Sequence, residues 1–184
     1  MEQHVKNVRI SFPKLFNAES FAGDPTSKPA YSASFLLPPN HPQLKALKAA
    51  IVAVAKEKWA EKAPAMLKAI ESKDASCLHD GNNKADTDGY AGNFYLSARS
   101  YTRPLVIDRD KTPLTEADGV IYGGCFVNVL VDIYAQDSQF GKRINAVLKG
   151  VQFLRDGDSF GGGAPASPDA FDDLSDQDDE EALA

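Results

Sequence analysis

The chain has 184 residues, 43% of them hydrophobic and 9% aromatic, which is enough for one globular domain with a real core. No apolar run approaches the roughly 20 residues needed to span a bilayer, so no membrane association is expected. The net charge of −6 would argue against a polyanionic ligand, but residues 161–184 hold eight carboxylates and no lysine or arginine, leaving +2 on residues 1–160.

Residues 4–12 alternate as a strand, with Lys6, Val8, Ile10 and Phe12 on one face and Val5, Asn7, Arg9 and Ser11 on the other. A Pro/Gly/Asp/Ser loop around Phe21–Pro29 leads to a second strand over 30–37, stopped by Pro38-Pro39. Asn40 is the expected N-cap of a helix with Pro42 in its first turn and Leu44, Leu47, Ile51 and Val54 on its apolar face. Pro64 breaks that helix and leaves a second piece over 64–73. Residues 76–92 form a polar loop long enough to demand a functional or local-order explanation. Strands follow at 93–101, 104–108, 125–135 and 143–154, the last two joined by a turn at Gln136–Gly141. Five or six strands with one helical insertion suit a small Greek-key barrel of the OB-fold type over residues 1–160.

The strand at 93–101 carries the most specific pattern. Phe94, Leu96 and Ala98 read as its core face. Tyr95, Ser97, Arg99 and Tyr101, with Arg103 just beyond, read as its outward face. Aromatic rings interleaved with guanidinium groups are what single-stranded nucleic acid requires: bases stack on the rings and cations hold the phosphates. The same pattern is also an ordinary half-exposed strand surface. Lys14 and Phe16 after the first strand, Tyr90 before this one, and Phe140, Lys142 and Arg143 in the last hairpin are the flanking candidates. Seven lysines against three acids in residues 40–73 form a solvated helix face that could widen the footprint toward duplex DNA.

Enzyme and metal signatures fail. Cys77-x-His79 has no further ligands in range, and a structural zinc needs four. Asp86-Thr-Asp88-Gly89 resembles a calcium loop, but Lys84 and Tyr95 stand where its end carboxylates belong. The glycine run Gly161–Gly163 has no Lys-Ser/Thr after it and is no phosphate loop. No catalytic group, metal or cofactor is expected. Two cysteines without a framework and an N-terminus without an apolar signal core point to a reducing cytoplasm.

The segment 161–184 opens on glycines and prolines and ends in a carboxylate run, a composition that does not bury enough apolar surface to order itself. It is expected to be a disordered acidic tail. Phe171, Asp172, Asp173, Asp178, Asp179, Glu180 and Glu181 are its partner-binding candidates, and a second role is that of a polyanion competing with nucleic acid for the body's basic surface. As a random coil its 24 residues would reach roughly 25–30 Å.

Four stretches carry a resemblance: Arg9-Ile-Ser-Phe-Pro-Lys-Leu-Phe16, Asp80-Gly81 through Gly89-Tyr90, Ile121-Tyr-Gly-Gly-Cys-Phe126, and Leu148 through Asp158. Together, over residues 5–160, they resemble a phage-encoded family of single-stranded DNA-binding proteins. The resemblance implies an OB-fold, binding of single-stranded DNA with little sequence preference, and work in phage replication or recombination inside an infected bacterial cell. Related replication proteins use an acidic tail to dock phage or host polymerase and helicase partners and to restrain DNA binding. Many such tails end in phenylalanine, whereas this one ends Glu181-Ala-Leu-Ala184. Two rivals stand beside this reading: an interaction protein whose tail serves solubility, and an enzyme using Cys77, His79 and Asp80.

Overall fold

In a computed structural model the described residues are 1–161; the tail candidates Phe171 to Glu181 lie outside them. The first strand, β1 (Glu2–Glu19), runs well past its sequence-predicted end, and its register shifts at three places, the last between Lys14 and Glu19. The first falls between Val5 and Val8, where Asn7 takes φ 56° and its N–H donates to the Asn128 side chain at 3.0 Å. The second falls between Ser11 and Lys14 and turns Phe12 out at φ 48°. Val5, Val8, Ile10 and Leu15 point inward, and Phe12 is 61% exposed. The grouping of Lys6 and Phe12 with Val8 and Ile10, and of Val5 opposite them, is therefore corrected: Val5 is buried with Val8 and Ile10 while Lys6 and Phe12 are exposed, because each bulge inserts one residue and re-aims its neighbours.

β2 (Ala30–Leu37) pairs antiparallel with β1. Helix α1 (Leu44–Trp59) buries Leu44, Leu47, Ile51 and Val54, as their spacing dictates. It starts later than predicted. Gln43, not Asn40, stands at the cap, and its side chain serves β1 instead, accepting from Lys6 N–H and donating to His4 C=O, both at 2.7 Å. The break comes at Ala60 (φ 48°), and Pro64 opens α2 (Ala63–Ser72). β3 (Leu78–Asp80) is a short strand inside the polar segment, and β4 (Phe94–Ser100) follows it. β5 (Leu105–Ile107), β6 (Phe126–Ser138) and β7 (Gly141–Arg155) complete the sheet.

The sheet order is β3-β4-β2-β1-β6-β7-β5, and an added parallel contact of β4 with β7, Arg99 beside Val147, closes it. Five strands thus form the barrel β1-β2-β4-β7-β6, an OB-fold. Its interior is lined by Cys125, Val127, Val129, Val131 and Ile133 of β6, all fully buried, together with Phe35, Leu37, Leu96, Ala98, Ile144 and Leu148. α1 packs on β6 and α2 on β7 at the end of the barrel where β4 begins. No helix among the described residues is long and apolar enough to cross a membrane.

After β7 the chain folds back over the barrel as a strap, residues 156–161. The strap leaves no room at Gly124, which has φ 111°; a Cβ there would stand 2.1 Å from the Asp158 carbonyl oxygen. Gly124→Ala should cost about 2 kcal/mol through the left-handed strain alone. Calorimetry should then show a melting temperature lower by roughly 4–8 °C. An unchanged melting temperature would mean that residue 124 does not hold a left-handed backbone.

Candidate nucleic-acid interface

The outer face of β1, β2 and β4 is built of cross-strand rows fixed by register. Arg9, Leu36 and Tyr95 form one row; Ser11, Ser34 and Ser97 the next; Lys14, Ser32 and Arg99 the third. Rows two residues apart lie about 6.6 Å from one another, so the three span roughly 13 Å. In the middle row Ser34 and Ser97 offer short, partly exposed hydroxyls, while Ser11 is buried. The third row is cationic and opens toward the loop between β1 and β2.

At that open end the predicted candidates converge. Tyr101 is 58% exposed, with the Arg99 guanidinium 5.4 Å and the Lys28 ammonium 4.4 Å from its ring centroid. The Arg103 guanidinium lies 5.8 Å from the Phe16 centroid. Lys14 pairs with Glu19 at 2.7 Å, a surface contact worth little and easily exchanged for a phosphate. Lys14, Phe16, Arg99, Tyr101 and Arg103 therefore form one cluster.

The other candidates do not join it. Tyr95 is on the outward face as its register requires, yet only 3% exposed, and Tyr90 is fully buried. The cause is the polar segment, which doubles back over the strand. β3 pairs His79 with Tyr95 and stacks the imidazole on the phenol at 4.6 Å, while Tyr90 packs 4.9 Å away on its other side. Loss of hydration, followed by the nearby Asp74 charge, pushes the Tyr95 phenol up to about 12. The open stacking role expected of both tyrosines is thus corrected for this state of the chain.

The polar segment is held by its own side chains. Asp80 caps Asn82 N–H at 2.9 Å, Asn82 accepts from Gly92 N–H at 2.8 Å, and Asn93 donates to Gly89 C=O at 2.7 Å. Lys142 and Arg143 sit at the opposite end of the barrel. β7 runs parallel to β4 with Val147 beside Arg99, so positions 142 and 143 lie four to five residues away, toward the helices. There Asp137 binds both Trp59 Nε1–H at 3.0 Å and Lys142 at 3.2 Å. Phe140, at the tip of that hairpin, is almost wholly exposed.

Three residues were missed. Phe12 stands over the face, its ring 6.4 Å from Tyr90; Pro13 after it was the available signal, since proline inside a strand marks an edge or a bulge. Lys28 lies in a loop whose fold alternation cannot predict. Arg9 shares a strand face with Val5, Asn7 and Ser11 in the sequence pattern, which gives no sign of a site. The nucleophile rival loses its chemistry: Cys77 is buried, and loss of hydration pushes its thiol up to about 12, so it keeps its proton at neutral pH. His79 is committed to Asp74 at 2.6 Å.

The chain as a whole is similar to known proteins. The family model described as Enterobacter phage Enc34, ssDNA-binding protein, matches residues 1–183. The "Putative protein p50" of Acyrthosiphon pisum secondary endosymbiont phage 1 is 46% identical over 187 residues, the whole of both chains. The single-stranded DNA-binding protein from bacteriophage Enc34, solved in complex with ssDNA, superposes with a TM-score of 0.71 at 30% identity, covering 87% of this chain and 89% of that one. The likeness to gp2.5, a single-stranded DNA-binding protein encoded by bacteriophage T7, is one of fold: TM-score 0.57 at 13% identity, over 90% of this chain and 98% of that one.

Proposed function

Since this chain belongs to the family of the Enterobacter phage Enc34 ssDNA-binding protein, we propose that it binds single-stranded DNA on the outer β1-β2-β4 face, without base-edge readout. The observation that carries this is the open end of the face, where Lys28 and Arg99 lie against the Tyr101 ring, Arg103 lies against the Phe16 ring, and Lys14 shares a cross-strand row with Arg99. Bases stack on Tyr101 and Phe12. Phosphates exchange places with Glu19 at Lys14 and lie along the serine row toward Arg99. Stacking and phosphate contacts are indifferent to base identity, which supports sequence-tolerant binding.

The protein would work in the cytoplasm of an infected bacterium, coating single strands during replication or recombination. Residues 161–184 would compete with DNA and dock replication proteins of the phage or its host through Phe171 and the carboxylates Asp172 to Glu181. Duplex DNA is a weaker ligand in this reading, because the face is narrow and its rings need unpaired bases.

Fluorescence anisotropy with a labelled oligonucleotide across a salt series tests the reading. Four cations releasing four counterions give a log–log slope of about −3 for a single strand. No binding at low salt removes the proposal. The two cysteines supply a control. Cys77→Ser should lower stability, because the site is buried, while leaving oligonucleotide affinity within about twofold; a loss of tenfold or more (about 1.4 kcal/mol) would reopen a functional role for that thiol.

A further inference from the structure

At the row Arg9-Leu36-Tyr95 the outer face is covered from two sides: segment 76–93 lies over Tyr95, and an aromatic ring of the strap packs against the same cluster. Phe160 packs against the buried cluster of Leu36, Tyr90 and Tyr95. The Arg9 guanidinium lies 4.2 Å from its ring centroid. Gly89 forms the wall of the seat: at φ 83° it has no Cβ, and one placed there would stand 2.8 Å from Phe160 Cζ and 2.7 Å from Leu36 Cδ1. The bare Gly89 backbone therefore lets a flat six-membered ring pack directly against that wall.

The groups around that ring suit a nucleotide better than they suit a permanent plug. Arg9 donates to two neutral carbonyls, those of Gly124 and Asp158, and among the described residues no carboxylate pairs with it. Its charge stays available to a phosphate. The Tyr90 hydroxyl is buried and has no hydrogen-bond partner among the described residues, an arrangement that leaves the closed seat incompletely satisfied. The strap is fastened beyond the ring by two backbone donations, Phe160 N–H to Gly123 C=O at 2.9 Å and Gly161 N–H to the Asp88 carboxylate at 3.0 Å. Both can be replaced by water when the strap lifts.

We propose that the seat of Phe160 is a pyrimidine-base subsite, filled by the chain's own ring when DNA is absent and continuous with the serine and cation rows of the same face. The inference rests on the single-stranded DNA reading above and deepens it. An incoming pyrimidine replaces Phe160 against Leu36 and the tyrosines, its phosphate takes Arg9 from the strap carbonyls, and the strap leaves with the acidic segment attached.

The chain has one tryptophan, Trp59, so a Trp59→Phe/Phe160→Trp variant carries a single reporter in the strap. Titrated with a thymidine oligonucleotide whose own label reports binding by anisotropy, its indole emission should shift to the red and become more open to acrylamide quenching as DNA binds. Binding without any change at the indole overturns the subsite and leaves the DNA-binding reading standing. No binding by anisotropy, with unlabelled wild-type chain also inactive, overturns both. A second variant guards against a misfolded reporter. Phe160→Ala should raise affinity for the same oligonucleotide about 3- to 10-fold, the factor by which a seat closed about 70–90% of the time masks intrinsic affinity. Unchanged or weaker binding by a folded Phe160→Ala protein overturns the proposal.

Discussion

Truncating Phe12 and Tyr101 to alanine should each weaken single-stranded DNA binding by roughly 1–3 kcal/mol, the range measured for base-stacking rings. Both side chains are more than half exposed, so neither supports the core, and thermal unfolding should stay within about 1 kcal/mol of the parent. The effect divides into recognisable parts. Losing a ring lowers affinity at every salt concentration, because stacking releases no counterions. Losing a cation of the third row, as in Arg99→Ala, also flattens the salt slope by about 0.7. A double Phe12→Ala/Tyr101→Ala protein that folds and binds as tightly as its parent would move the site off this face. The hairpin carrying Phe140, Lys142 and Arg143 would be the next place to look.

Tyr95 and Phe12 show where reading the sequence succeeds and where it stops. Period-two alternation assigned Tyr95 to the outward face, and its register with Leu36 bears that out. Alternation is a statement about direction, however, and exposure depends on what else covers the face. Here a separate segment, 76–93, returns over the strand through contacts between residues distant in the chain, such as His79 on Tyr95. Nothing local encodes that return. Phe12 failed for the opposite reason: a single inserted residue between Ser11 and Lys14 breaks the period, and a strand that ends at residue 12 leaves Pro13 unused as the sign of that break. The barrel itself was legible because β6 is a clean strand whose buried positions alternate without interruption from Cys125 to Ile133. Its closure, with β7 parallel to β4, rests on one contact at Arg99 and Val147 that no strand pattern reveals.

The charge distribution makes the second large effect one of removal. Residues 1–160 carry +2, and the eight carboxylates beyond them bring the whole chain to −6. The structure adds the point of departure: Gly161 is bonded to Asp88 at the covered end of the interface, so the acidic segment begins beside the surface it would compete for. Deleting residues 162–184 leaves Phe160 in the chain and removes all eight carboxylates together with Phe171. Tethered competition acts at millimolar effective concentration, and at about 50 mM salt the screening length still spans more than 10 Å. The truncated chain should then bind an oligonucleotide about tenfold more tightly, a change of about 1.4 kcal/mol. At about 300 mM salt, where that length falls well below 10 Å, the two affinities should converge to within about twofold. Thermal stability should not move, since the buried core among the described residues runs from Val5 to Val151. Equal affinities at the lower salt would leave the acidic segment as a partner handle or a solubility device. They would also separate its charge from the ring of Phe160, whose effect should persist at both salt concentrations because a ring leaving an apolar seat is not screened.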